Sequence, residues 1–190
     1  MMCFDQASAQ EKDGVPALLI GPAYLRPPVY RYLPNSKRTI LYPVLIKSSG
    51  ETISVNGQNF TTPGDWDRFV KDARERSQLQ LATLDPTLVR DSHGVIQMAV
   101  IFTDTPVTAT CTLTPGFIER FSAIFGPELL VAFPTQNKIY VFPKLANKIE
   151  AMTETIRDDY LISPMPASTE LFELSREGLH AVGSLNPDDD

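Results

Sequence analysis

Short apolar runs, each followed by turn-forming polar residues, set the tightest limit on how this chain can fold. Ile40-Leu41-Tyr42-Pro43-Val44-Leu45-Ile46 leads into Ser48-Ser49-Gly50 and then Thr52-Ile53-Ser54-Val55. Two runs of strand length around a short polar connection read as a hairpin. Pro43 has no amide hydrogen, so it belongs at a sheet edge or a bulge. Asn56-Gly57 suits a two-residue type I′ turn, after which residues 58–61 supply a short third strand. Residues 95–102 are apolar on both faces except at Gln97, as expected of a central strand covered on both sides. Val107, Ala109, Cys111 and Leu113 alternate with Thr108, Thr110 and Thr112, the pattern of a half-buried strand. Residues 129–133 and 139–142 form a second apolar hairpin, and residues 170–183 a closing one that turns at Arg176-Glu177-Gly178.

Three stretches switch to a helical period. In residues 62–77, Trp66, Phe69, Val70 and Ala73 recur at i, i+3, i+4 and i+7, with Thr62 as N-cap, Pro63 at N1 and Asp65 at the positive helix start. Thr114 and Pro115 open the next, Phe117, Phe121, Ile124 and Phe125 face inward, and Gly126 stops it. Residues 144–160 place Leu145, Ile149, Met152, Ile156 and Tyr160 on one stripe. Hairpins with about three interspersed helices predict an α+β fold with a mainly antiparallel sheet.

A length of 190 residues fits one domain. Its 43% hydrophobic and 21% charged residues are ordinary globular usage, and no run reaches the ~18 apolar residues of a membrane span. Six of the 16 prolines fall between Pro16 and Pro43. The expected organisation is an extended, Pro-rich, basic arm over residues 1–38, an α+β domain over 39–185 and an acidic tail over 186–190. Ala7-Ser8-Ala9 has the form of an export cleavage site. The residues before it include Asp5 and are too few for an apolar signal segment. A cytoplasmic protein is the default expectation, with export as the alternative if residues 1–9 are a signal remnant. The same missing segment weakens Met2-Cys3 as a lipidation site.

Two cysteines and two histidines leave little material for a metal centre or for nucleophilic chemistry, so no metal and no cofactor are expected. Cys111 is the first nucleophile to test, since a thiol becomes reactive beside a base or a positive field. Its alternation with apolar neighbours reads instead as a small buried core cysteine. His93 adjoins Ser92 in the polar stretch Asp91-Ser92-His93-Gly94, where turn formation is the simpler role. His180 reads as strand packing. Asp158-Asp159 lies near a helix C-terminus, where negative charge is disfavoured, a hint of a cation site without any calcium-loop spacing. Phosphate-loop, dinucleotide, zincin, hydrolase-elbow and CxxC signatures are all absent.

Charge is segregated along the chain. Residues 14–50 hold Arg26, Arg31, Lys37, Arg38 and Lys47 and not one of the 23 acidic residues. Tyr24, Tyr30 and Tyr32 interleave with these cations, and arginine with aromatic groups can grip an anionic partner. The plain alternative is an arm that wraps the molecule's own acidic body. A net charge of -6 disfavours nucleic acid as the partner of the whole surface. Pro27-Pro28-Val29-Tyr30 also matches a polyproline ligand of the PPxY type.

Residues 125–134, Phe-Gly-Pro-Glu-Leu-Leu-Val-Ala-Phe-Pro, and 137–143, Asn-Lys-Ile-Tyr-Val-Phe-Pro, resemble a segment of the uncharacterised bacterial YtpQ-like family. The resemblance covers residues 115–182, including Leu171-Phe172 and Gly178-Leu179. It implies a bacterial, soluble α+β protein. That family has no assigned activity, so no functional residue is carried over.

These features together predict a non-catalytic binding or protein-interaction module, meeting a protein partner or a second copy of itself. Arg26, Tyr30, Arg31, Tyr32 and Arg38 are the expected binding residues. The alternative is an enzyme of unfamiliar hydrolase-like or transferase-like design using His93, Cys111 or Asp91.

Overall fold

The computed structural model describes residues 14–60, 62–145 and 149–186. Among these residues, two antiparallel sheets and three α-helices build an α+β fold. In the first sheet, β1 (Val15–Pro22) and β3 (Thr39–Ile46) pair along their whole length, from Val15 opposite Ile46 to Pro22 opposite Thr39. β2 (Arg31–Tyr32) and β4 (Thr52–Ser54) share the other side of β3. The expected irregular arm is therefore a strand over residues 15–22. Ala17, Leu18, Leu19 and Ile20 are all buried, and burying an apolar run between two prolines stabilises more than a loose wrap would. Pro43 is likewise not at an edge. Its carbonyl accepts from Val55 N–H on the β4 side, and the amide it lacks faces the gap between β2 and β4, where no ladder bond is lost.

The second sheet runs β10-β9-β7-β8-β6-β5. Its strands are β5 (Thr87–Arg90), β6 (Ile96–Phe102), β7 (Leu129–Thr135), β8 (Lys138–Pro143), β9 (Glu170–Ser175) and β10 (Gly178–Ser184). The hairpins expected at residues 129–142 and 170–183 are both present. One face packs on α1 (Pro63–Thr83) and α2 (Pro115–Phe125) through a core that includes Leu81, Phe117, Phe121, Phe133 and Phe172. The other packs on α3 (Ile149–Ile162) through Tyr140, Phe142 and Ile156.

α1 begins where the sequence placed it, with the Asp65 carboxylate accepting from Thr62 N–H at 2.8 Å, and continues past residue 77 to Thr83. Gly126 ends α2 at φ 93°, a left-handed geometry that glycine adopts without strain. Ile124, expected to face inward, is 40% exposed. Leu145 is 92% exposed, so the stripe expected from residue 144 does not include it. Residues 146–148 of that stretch lie outside the described residues.

Two strand expectations fail for a shared reason, local side-chain bonds that compete with the ladder. Residues 109–113 form a 3-10 turn, not a strand. Thr110, Thr112 and Thr114 donate their hydroxyls to the carbonyls of Val107, Ala109 and Cys111, each at 2.7 Å. Hydroxyls satisfied in this way need no solvent, so the threonines are buried with their apolar neighbours. The Asn56 side chain similarly accepts from Gln58 N–H at 3.0 Å and starts a 3-10 turn over Gly57–Asn59, in place of a type I′ turn and a third strand. Thr61 lies outside the described residues, as do residues 1–9 with Met2-Cys3, and Asp188, Asp189 and Asp190 of the tail.

Candidate functional site

Of the residues proposed for catalysis, Asp91 and His93 share the β5–β6 turn and Cys111 lies apart from them in the core. Cys111 sits in the 3-10 turn with no exposed surface, its thiol donating to Ser77 O at 3.4 Å and Val107 O at 3.6 Å. Burial pushes the thiol up to about 12, so it stays protonated and unreactive at neutral pH. Asp91 organises the β5–β6 turn. One carboxylate oxygen accepts from His93 N–H and Val95 N–H, each at 2.9 Å, and the other from the Gln97 side chain at 2.9 Å. Among the described residues the His93 ring meets only the Ser92 hydroxyl, at 3.4 Å on an exposed turn.

Asp159, suspected of holding a cation, already holds one. Its Oδ2 accepts from Lys138 Nζ and from Tyr140 OH, both at 2.6 Å. Burial works to lower the Lys138 pKa, and its bonds to Asp159 and Tyr140 outweigh that and leave the ammonium raised. Burial, with the bond to Asp159, also raises Tyr140. The unfavourable charge at the end of α3 is thus offset by an ion pair to β8. Among the described residues, no group of three or more His, Cys, Asp or Glu side chains is placed to hold a metal ion. No helix among them is long and apolar enough to cross a membrane.

The expected binding residues divide between two places. Arg31 and Tyr32 form β2 and line a groove of about 690 Å³. Tyr30 adjoins them, its ring 5.9 Å from that of Tyr32 in an edge-on contact. Arg38 instead acts on Tyr160 of α3, which burial raises first, its hydrogen bond with Tyr24 next, against the lowering effect of Arg38. Arg26 closes a short turn after β1 with φ 45°.

The groove is enclosed by the strip Arg31–Pro34, Leu41 of β3, α1, the 3-10 turn with the start of α2, and the β9–β10 hairpin. Trp66 stands on α1 with the Arg31 guanidinium 4.5 Å from its ring centroid. Arg74 comes from the same helix two turns on, Arg176 from the hairpin turn, and His180 from β10. Among the described residues, Arg31, Arg74 and Arg176 form no ion pair, although Glu119 and Glu177 also line the groove. Its apolar lining includes Leu33, Leu41 and Ile118. A cleft of this size, apolar with a few convergent charges, is what a ligand or peptide segment fits.

The turn that follows β2 is anchored by a buried carboxylate. Glu170 accepts from Ser36 Oγ at 2.5 Å, Lys37 N–H at 2.9 Å and Thr39 Oγ1 at 2.6 Å. Gln136 Nε2 donates to Tyr42 OH at 2.8 Å in the interior, tying the second hairpin to β3. The groove wall is therefore held to both sheets.

The sequence singles out Arg31 and Tyr32, which line this groove, and gives no sign that Trp66, Arg74, Arg176 and His180 line it with them. Trp66 sits within an ordinary amphipathic period, and nothing local distinguishes it from a core residue. Comparison with family models, with curated proteins and with solved structures finds no match.

Proposed function

We propose that this protein is a non-catalytic interaction module whose partner seats in the groove beside β2. The observation that carries this reading is the convergence of Arg31, Arg74 and Arg176, all without an ion-pair partner, around the exposed edge of β2 and the Trp66 ring. Unmatched cations at a partly apolar cleft favour an anionic segment of a protein partner. The occupations of His93, Asp91 and Cys111 described above favour this over the hydrolase-like or transferase-like alternative.

A peptide-display selection against the full-length chain tests it, counter-selected on an Arg31→Glu, Arg74→Glu variant shown to unfold cooperatively, like the parent. Enrichment of sequences that bind the parent and not the variant supports the groove. Enrichment indifferent to the two substitutions overturns it. Mass in solution across a concentration series separates a foreign partner from a second copy of the chain. Self-association abolished by the same substitutions would make the second copy the occupant.

A further inference from the structure

The edges of the two sheets meet beside the groove, at one backbone hydrogen bond. Ala181 N–H of β10 donates to Pro34 O at 2.9 Å. β2 runs in the same direction as β10: the Leu33 end lies opposite Thr39, whose hydroxyl reaches the side chain of Glu170, and Glu170 pairs with Ser184, further along β10 than Ala181. Such parallel neighbours would extend their ladder by two further bonds, from Leu179 N–H to Tyr32 O and from the residue-34 amide to Leu179 O. The second bond has no donor, because residue 34 is proline. Leu33 N–H is turned to Thr39 O, so by alternation the backbone polar groups of Tyr32 face away from β3. Those of Leu179, two residues before Ala181, face the same gap.

From this we infer that Pro34 keeps the two sheets from zipping together and holds open a slot between β2 and β10, and that the slot takes an extended acidic peptide segment of a partner protein as an added strand. The inference rests on the groove reading above and specifies its occupant. Tyr32 and Leu179 offer backbone donors and acceptors on the two sides of the slot. Arg31, Arg74 and Arg176 supply the charge that a glutamate- or aspartate-bearing strand would match, and Leu33, Leu41 and Ile118 the apolar lining for its alternate side chains.

Trp66 is the only tryptophan in the sequence, so its emission reports on the groove. The probe is a short acetylated peptide alternating glutamate and valine, titrated into the full-length protein. Saturable binding is expected, weakened about tenfold when alternate amides are N-methylated in one register and unaffected in the other. Pro34→Ala, which restores the missing donor, should weaken the same peptide while melting no lower than the parent. Arg74→Glu should weaken it independently of any change at residue 34. Binding that ignores N-methylation in both registers, or a lysine–valine peptide that binds equally well, overturns strand addition while leaving groove binding intact. A single-stranded oligothymidylate that displaces the peptide and binds more tightly overturns the choice of a protein segment. No binding of the peptide by calorimetry overturns the acidic-strand inference, and the display selection then decides separately whether the groove binds anything else.

Discussion

The guanidinium carbon of Arg31 stands 4.5 Å from the centroid of the Trp66 ring, joining the shortest strand of the fold to the first turns of its longest helix. A cation over an indole at a partly exposed site contributes about 0.5–1 kcal/mol. Arg31→Ala is expected to lower unfolding stability by about that amount and to shift the Trp66 emission to the red as water replaces the guanidinium. Urea unfolding and the emission spectrum check it, and an unchanged spectrum would show that the contact is not populated.

Glu170 is the buried pin of the turn after β2. Glu170→Ala strips the acceptor from Ser36, Lys37 and Thr39 together, and leaving such donors unsatisfied costs on the order of 3 kcal/mol. Glu170→Gln, which keeps an acceptor, should lose less. Denaturant midpoints rank the two variants, and equal losses would contradict the hydrogen-bond account.

Cys111 carries a pH signature. Its thiol lies near 9 in the unfolded chain and about 12 in the fold, so below pH 9 it is protonated in both states. Between those values the unfolded chain releases a proton that the fold retains, and stability falls as pH rises, by up to about 4 kcal/mol in total. Cys111→Ala should flatten that part of the profile relative to the parent. Alkylation of the native Cys111 thiol at neutral pH should track unfolding, and fast labelling of the folded protein would revive a reactive role.

Lys138 and Asp159 are both partly buried, their side chains 23% and 20% exposed. Asp159→Asn should cost about 1–2 kcal/mol, less than the loss of a fully buried pair because water still reaches the site. The raised Lys138 pKa means that the pair's contribution is fully present below the ordinary lysine range and disappears as pH rises through the raised value. Thermal melts of the parent and Asp159→Asn should therefore converge at high pH, and a difference independent of pH would point to packing alone.

The hairpins and helix starts were legible because their signals are local. Thr62 and Pro63, Thr114 and Pro115, and Gly126 act within one turn of themselves, and each was placed correctly. Misreadings fell where two local devices competed. Alternating threonines from residue 108 to residue 112 look like the solvent face of a strand until their hydroxyls are seen bonding back three residues. A proline-rich start looks irregular until Val15–Pro22 is found paired along its length with β3.

The α+β class, the hairpins over residues 129–142 and 170–183 and the cationic, tyrosine-rich stretch around Arg31 are readable along the chain, because period, capping and charge are properties of neighbouring residues. Which of those cations share a groove is a matter of packing, since Arg31, Trp66, Arg74 and Arg176 are brought together by sheet order and helix placement that no local preference encodes. Packing also decides the meaning of Pro34. A proline in a loop is unremarkable, whereas Pro34 takes Ala181 N–H on its carbonyl at the point where the two sheet edges meet.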